Sequence, residues 1–278
     1  MKNMKVSCGN LDVVELPFST ILGSEKRVIR IWTPNGYNSS DKNKHYSVIY
    51  MHDAQNIFKY ENDDRAMWDV NDFIDKRKAD VIIVGIDHGG MKRISELSPE
   101  AWAKYGKNET YVCNSCAEQY CDFLVNKVMP YVESHYNVKT GRKFTSIGGS
   151  SMGGICSLYI GLTYNEIFGK VYAFSTAFNI YSKDFFVKYL KDNPLPKNNL
   201  PYIYVCSGNT HGKQKDGYGG MEYKIAKFVP YIKEKLIDAG YPKERITTEI
   251  LDNWTHHEST WKKLFPNAYN WLESNYID

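Results

Sequence analysis

The chain has 278 residues, of which 42% are apolar, enough to bury a sizeable core and too many for a disordered chain. Its 35 Lys and Arg residues against 32 Asp and Glu residues leave a net charge of +3, which argues against nucleic acid and against an anionic membrane as partners. This length suits one large α/β domain, residues 1–278.

No apolar run approaches the length of a membrane span, and residues 1–8 contain no hydrophobic segment of a signal peptide. We therefore expect a cytoplasmic protein, unless a leader was removed. Six cysteines are scattered along the chain, which favours reduced thiols. Cys113, Cys116 and Cys121 have a spacing found in metal sites, but no nearby His or Cys pair completes a four-ligand set. We expect neither a metal nor another cofactor.

In chain order, short β-prone runs alternate with helical patterns. The predicted strands cover residues 28–33, 47–51, 81–86, 144–147, 170–174, 202–206 and 246–251. The predicted helices cover residues 68–78, 118–136, 155–162, 223–239 and 261–273. This alternation predicts an α/β fold with a mostly parallel sheet and helices on both faces. No internal repeat and no low-complexity linker divides the chain.

The stretch Gly149-Ser150-Ser151-Met152-Gly153 fits the pattern G-x-S-x-G, which carries a nucleophilic serine on a sharp turn from a strand into a helix. A β-prone run precedes the stretch and an apolar helical run follows it. Glycines at its two ends suit a turn too tight for side chains. The turn would lift the Ser151 hydroxyl clear of the sheet and direct the helix N-terminus at a developing oxyanion. The alternative is a glycine-rich turn with an idle serine, but the context favours a nucleophile.

A serine hydroxyl becomes a good nucleophile when a base takes its proton and a third group orients that base. In folds with this turn, the chain order is nucleophile, acid and histidine, on loops after late strands. Of the seven histidines, only His256 and His257 follow the last predicted strand. Both are therefore candidates for the base, although either one alone could be an ordinary surface histidine.

The orienting acid should follow the strand 202–206. Asp216 is the only carboxylate in the loop before the next helix, and Glu222 stands at the helix start. Either could instead be a solvated charge near a helix N-terminus. We rank Asp216 first, because the glycines that follow it give the loop the flexibility to fold a carboxylate toward the site.

The oxyanion hole needs two backbone N–H groups, one of them from the residue after the nucleophile, which is Met152. The other should come from the loop after the strand 47–51, with Gln55 favoured over Ala54. Asp53 and Asn56 lie in the same loop, at the strand end where ligands collect in parallel sheets. They are candidates for substrate binding, and capping of the loop is their alternative role.

Five stretches together resemble the esterase D / putative esterase family of α/β-hydrolases, whose relatives include acetylxylan, feruloyl and siderophore esterases. They are residues 48–58 as the oxyanion loop, 84–87 and 93–99 as the next strand and loop, 149–154 as the nucleophile turn, and 256–261 as its H-N-E-x-x-W end. The resemblance covers nearly the whole chain. It implies the α/β-hydrolase fold and assigns the base to His256 rather than His257.

One position departs from the family pattern. Where the family commonly has an acidic residue, three places after Gly208, this chain has His211. Asp216 or Glu222 would then supply the acid from a longer loop, or the site would work as a Ser-His dyad.

The sequence thus predicts a serine carboxylic-ester hydrolase. Its relatives point to an acyl ester on a carbohydrate, acetyl or feruloyl, as the substrate. The first alternative is a siderophore or another small-molecule ester. The second, motivated by His211, is a catalytically dead binding module of the same fold.

Overall fold

The computed structural model describes residues 5–106, 114–210 and 220–277. A sheet of eight strands runs through this part of the chain. The strands are β1 (Asn10–Thr20), β2 (Gly23–Thr33), β3 (Ser47–His52), β4 (Val81–Ile86), β5 (Thr145–Ser150), β6 (Lys170–Phe174), β7 (Tyr202–Gly208) and β8 (Ile246–Leu251).

The strand order across the sheet is β1-β2-β4-β3-β5-β6-β7-β8. β1 pairs antiparallel with β2, and β2 pairs antiparallel with β4. All the other neighbouring pairs of this sheet are parallel, so the carboxyl ends of β3 to β8 share one edge. This mostly parallel sheet confirms the predicted α/β class and gathers the loops after those strands at one edge.

Helices connect the parallel strands, as the crossover rule requires. They are α1 (Val70–Lys76), α2 (Arg93–Glu96), α3 (Glu100–Ala103), α4 (Ala117–Phe123), α5 (Met129–His135), α6 (Met152–Thr163), α7 (Phe185–Asp192), α8 (Met221–Ala226), α9 (Phe228–Asp238) and α10 (Glu258–Asn275). A π-helical segment, Leu124–Val128, joins α4 to α5. None of the helices in the described ranges is long and apolar enough to cross a membrane.

The sheet has a hydrophobic core on each face. On one face, α1 and α10 pack against it through Ile74, Leu264 and Phe265. The other face is covered by the helices from α4 to α9, and α6 is buried along almost its whole length. Because both faces are covered, the central strands are buried on both sides, and every residue of the apolar strand β4 is buried.

Two predicted helices are interrupted in the structure, and a proline lies close to each break. The stretch 223–239 divides into α8 and α9, and Pro230 lies in the first turn of α9. Proline lacks an N–H group, and its ring crowds the carbonyl four residues earlier, at Ala226, the last residue of α8. In the stretch 118–136, the π-helical segment ends just before Pro130, at the start of α5.

Four elements of the structure, β1, α2, α3 and α7, are not among the predicted ones. β1 is an edge strand whose residues are mostly exposed or half-buried, so its apolar residues show little alternation. It also contains Pro17, which argues against a central strand but is tolerated at an edge. The backbone hydrogen bonds of its antiparallel pairing with β2 hold β1 in the sheet, although its sequence pattern does not predict a strand.

Candidate active site

Ser151 lies at the turn between β5 and α6, near the middle of the sheet. Its backbone has φ 58° and ψ −116°, a conformation that residues other than glycine rarely adopt. The turn is tight, since a Cβ atom on Gly149 would lie 2.8 Å from Cδ2 of His52 and 3.0 Å from the backbone of Gly153. Ser151 keeps part of its surface accessible, whereas Ser150 is only 4% exposed. The serine at the centre of the motif is therefore the one that a substrate can reach.

His256 lies in the loop between β8 and α10, and it lines the same cavity as Ser151. Its Nδ1 atom is 2.7 Å from Oε2 of Glu222. Both side chains are buried, with 6% and 1% of their surfaces exposed. The imidazole ring also packs edge-on against Trp261, with 5.2 Å between the ring centroids. A carboxylate on Nδ1 favours the tautomer with the proton there, which leaves Nε2 as the basic atom.

Glu222 reaches His256 from the first turn of α8. Its second oxygen, Oε1, accepts a hydrogen bond from the Ser175 hydroxyl at 2.5 Å and another from the Gly208 N–H group at 2.7 Å. The carboxylate thus accepts from three groups once the Nδ1–H of His256 is included.

The acid ranked first from the sequence, Asp216, lies outside the described residues, as does His211. The carboxylate that the structure places on His256 comes from a helix rather than from the loop after β7.

The two candidate oxyanion donors lie on the elements predicted for them. Met152 is the first residue of α6, whose first-turn N–H groups have no acceptor within the helix. Gln55 lies in a 3₁₀ turn, Ala54–Asn56, directly after β3. Its side-chain amide exchanges two hydrogen bonds with the backbone of His88, at 3.0 and 3.2 Å. This contact ties the loop after β3 to the loop after β4 and fixes the Gln55 backbone.

Asp53 lines the cavity, but its carboxylate is occupied by Arg93. The guanidinium donates from Nε and Nη2 to the two carboxylate oxygens, at 2.5 and 2.7 Å. Although burial acts to raise it, the charge of Arg93 holds the pKa of Asp53 below its ordinary value. Arg93 also approaches the carbonyl oxygen of Ser150, at 3.4 Å. Arg93 therefore links Asp53 to the nucleophile turn, and its guanidinium group lines the cavity.

Asn56 and His257 line the cavity beside Glu258. The Asn56 amide donates to Oε1 of Glu258 at 3.2 Å. His257 is the N-cap of α10, where its Nδ1 atom accepts the N–H of Ser259 at 3.2 Å. The adjacent histidines thus have different environments, because the Nδ1 atom of one faces a carboxylate and that of the other caps a helix.

His52, the last residue of β3, is buried beneath the nucleophile turn. Its Nδ1 atom is 2.7 Å from the Tyr120 hydroxyl, and its Nε2 atom has no hydrogen-bond partner among the described residues. Burial lowers the pKa of His52 to about 4, with Asp53 opposing and Arg93 reinforcing the shift. The imidazole is therefore neutral at physiological pH.

The cavity that these residues surround has a volume of about 280 Å³. Its lining comprises His52, Asp53, Asn56, Trp68, His88, Arg93, Ser150, Ser151, Met221, His256, His257, Glu258 and Trp261. Arg93, His88 and Glu258 are not among the residues predicted for the site. Their positions in the sequence could have predicted this role. Arg93 and His88 follow β4, and Glu258 follows His256 and His257, so all three come after strands that end at the ligand-binding edge of a parallel sheet.

No group of three His, Cys, Asp or Glu side chains able to hold a metal ion occurs within the described residues. Of the three closely spaced cysteines, Cys116 and Cys121 are buried free thiols, and Cys113 lies outside the described ranges.

Comparison with known proteins places the chain in a family. The family model described as "Putative esterase" matches residues 19–270. An acetyl esterase from Caldicellulosiruptor saccharolyticus is 25% identical over 216 residues, which cover 65% of this chain and 75% of that protein.

Solved structures share the fold at low sequence identity. The siderophore hydrolase EstA from Aspergillus nidulans has a TM-score of 0.70 and 14% identity, covering 94% of this chain and 95% of that one. A ferulic acid esterase has a TM-score of 0.64 and 18% identity, covering 99% of this chain and 100% of that one. Since the family model spans the sheet from β2 to β8 and the loops that carry Ser151 and His256, the chain belongs to this esterase family of α/β-hydrolases and is a carboxylic ester hydrolase.

Proposed function

We propose that the chain hydrolyses esters through an acyl-enzyme, with Ser151 as the nucleophile, His256 as the base and Glu222 as the orienting acid. The observation that carries this assignment is the 2.7 Å contact between Nδ1 of His256 and Oε2 of Glu222, beside the turn that presents Ser151. The alternative of a catalytically dead binding module was based on His211 at the usual position of the acid. The buried carboxylate of Glu222 beside His256 argues against it.

In the first half of the reaction, the Ser151 hydroxyl attacks the ester carbonyl carbon while Nε2 of His256 takes its proton. The charge that develops on the carbonyl oxygen is held by the N–H groups of Met152 and Gln55. The tetrahedral intermediate collapses as Nε2 returns the proton to the departing alcohol. Glu222 keeps the imidazole in the required tautomer and stabilises its positive form.

In the second half, water takes the place of the alcohol. Nε2 of His256 removes a proton from the water, which attacks the acyl carbon, and the proton then passes to Oγ of Ser151 as the carboxylic acid leaves. The same oxyanion donors serve both tetrahedral intermediates, so one site performs both steps.

For the substrate, we propose a small acyl ester on a carbohydrate, with acetyl favoured over feruloyl. A cavity of about 280 Å³ is at the small end of ligand sites and suits a short acyl group. Asn56, His257 and Glu258 line it with groups that can hydrogen-bond sugar hydroxyls. A siderophore ester is the alternative, supported by the similarity in fold to the siderophore hydrolase.

Covalent labelling tests the nucleophile. A fluorophosphonate probe should label Ser151 in the wild-type enzyme, located by peptide mass mapping, and Ser151→Ala should lose both labelling and hydrolysis of an aryl acetate. Ser150→Ala is the matched control, because it removes the same atom from the neighbouring residue and should retain labelling. Labelling of Ser150, or of no serine, would contradict the assignment.

A comparison of kcat/KM values distinguishes the substrate classes. The substrates to compare are acetylated xylan, feruloylated xylan and catecholate esters.

A pair of isosteric variants tests the acid. Glu222→Gln should lower kcat by about three to four orders of magnitude, because an amide facing Nδ1 favours the wrong tautomer. Asp216→Asn should change kcat by no more than a few-fold. The reverse result would return the acid to Asp216, and small effects in both variants would favour a Ser-His dyad.

A further inference from the structure

Ser175 is the first residue after β6, and its backbone is held in an unusual conformation. It has φ 42°, in the left-handed region that favours glycine, and its side chain is fully buried. Its N–H group donates to the carbonyl oxygen of Cys206 in β7 at 2.6 Å. The chain thus has a serine at a position where glycine would be less strained, which points to a function for the buried hydroxyl.

The direction of the Ser175 hydroxyl proton follows from its two partners. The indole Nε1 of Trp261 lies 2.8 Å from Oγ, and an indole nitrogen can only donate a hydrogen bond. Oγ must therefore accept from Trp261. Its own proton is left for Oε1 of Glu222, 2.5 Å away, which as a carboxylate oxygen can only accept.

This chain of hydrogen bonds determines how the carboxylate of Glu222 is turned. The terminal torsion of a glutamate has a broad energy profile, so the side chain alone does not fix the carboxylate plane. Here Oε1 is held by Ser175 and by the N–H group of Gly208, at 2.5 and 2.7 Å, which leaves Oε2 facing Nδ1 of His256. Because Trp261 belongs to α10, the contact also links the acid to the helix that follows His256.

We propose that Ser175 is a positioning residue of ester hydrolysis, whose hydroxyl orients the Glu222 carboxylate toward His256. The proposal rests on the assignment of Glu222 as the acid. It explains how an acid supplied by the first turn of a short helix keeps one carboxylate oxygen directed at His256. A glycine or alanine at this position would retain the packing of the backbone but lose the proton that holds Oε1.

Two variants provide the test. Both remove the hydroxyl, but they differ in their effect on backbone strain. Ser175→Gly relieves the left-handed strain and Ser175→Ala retains it, so the two should differ in Tm. If the hydroxyl positions the acid, both should lower kcat to a similar extent, roughly ten- to a hundredfold, as for the loss of a hydrogen bond to a charged group. KM should stay within about two-fold, because the hydroxyl does not contact substrate.

Ser157→Ala is the matched control. Ser157 is fully buried in α6, and its hydroxyl has no hydrogen-bond partner among the described residues. This variant removes the same atom from an equally buried site and should retain the kcat of the wild-type enzyme.

A spectroscopic readout in the absence of substrate separates orientation from stability. The Nδ1 proton of His256 should give a far-downfield proton resonance from its hydrogen bond to Glu222. This resonance should broaden or shift upfield in both Ser175 variants and remain unchanged in Ser157→Ala.

Wild-type kcat and an unchanged resonance in Ser175→Gly would overturn the proposal, even if Ser175→Ala lost stability. Glu222→Gln, measured alongside, separates this failure from a failure of the proposed function. If Glu222→Gln loses turnover while Ser175→Gly does not, only the positioning role is wrong. If neither variant loses turnover, the assignment of the acid fails as well.

Discussion

At the scale of single residues, His256 and His257 show how different hydrogen-bond partners give two identical side chains different roles. The Nδ1 atom of His256 faces the buried carboxylate of Glu222, at 2.7 Å. The Nδ1 atom of His257 instead accepts the N–H group of Ser259 at the start of α10. The first arrangement suits a catalytic base, and the second stabilises a helix end.

This contrast predicts different losses in two alanine variants. His256→Ala should lower kcat by several orders of magnitude, because the group that moves the proton is removed. With an aryl acetate, which has no sugar hydroxyls to bind, His257→Ala should retain kcat within a few-fold, but it should lose about 1 kcal/mol of stability, as for the removal of an N-cap. Steady-state kinetics and urea unfolding of both variants check this. If His257→Ala lost turnover and His256→Ala retained it, the roles of the two histidines would be exchanged.

At the scale of elements, the site depends on how closely β5, α6 and β3 approach one another. Ser151 has a strained backbone conformation, and such strain persists only where the surrounding structure holds it in place. Gly149 is the point of closest approach, since any side chain there would meet His52 and the backbone of Gly153.

Gly149→Ala should therefore affect activity as well as stability. Its Cβ would lie 2.8 Å from Cδ2 of His52 and 3.0 Å from the Gly153 backbone, so the turn must open and displace Ser151. We expect a loss of kcat of at least roughly tenfold together with a lower Tm.

Gly23→Ala, at the first residue of β2, is the control for this variant. Gly23 has φ 111°, and a Cβ atom added to it would meet no other atom within 4 Å, so the substitution adds backbone strain without a clash. It should lower Tm but leave kcat unchanged. Equal kcat values for Gly149→Ala and the wild-type enzyme would show that the turn tolerates a side chain.

At the scale of the whole molecule, His52 links the active-site region to stability in acid. Burial lowers its pKa from 6.5 to about 4 in the folded state, with Asp53 opposing and Arg93 reinforcing the shift. Between these two values the unfolded chain binds a proton that the folded chain does not. Stability is therefore lost as the pH falls from about 6.5 toward 4, by at most about 3 kcal/mol from this group.

His52→Gln should accordingly have a free energy of unfolding that depends less on pH. The variant is expected to be less stable than the wild-type enzyme at pH 7, because the contact with Tyr120 changes, but to lose less stability between pH 7 and pH 4.5. Urea unfolding at both values gives the comparison. His45→Gln, at an exposed histidine, should retain the wild-type pH dependence. Parallel losses in the wild-type enzyme and His52→Gln would mean that His52 ionises as readily in the folded state as in the unfolded chain.

The sequence by itself determined the fold class, the six parallel strands β3 to β8 and the turn that carries Ser151. These features depend on neighbours along the chain: the β-branched run Val81–Ile86 predicts β4 with the observed ends, and the glycines around Ser151 follow from local steric limits. The resemblance to a family of esterases added the preference for His256 over His257.

Only the tertiary structure decided which carboxylate faces His256 and what holds it there. Glu222, Gly208 and Ser175 are separated along the chain and meet because β6 and β7 are neighbours that end at the same edge of the sheet. The pairing of Asp53 with Arg93 has the same origin, since β3 and β4 are parallel neighbours. Local patterns record which residues can form a strand or a turn, whereas hydrogen bonds between distant residues depend on the register and order of the strands.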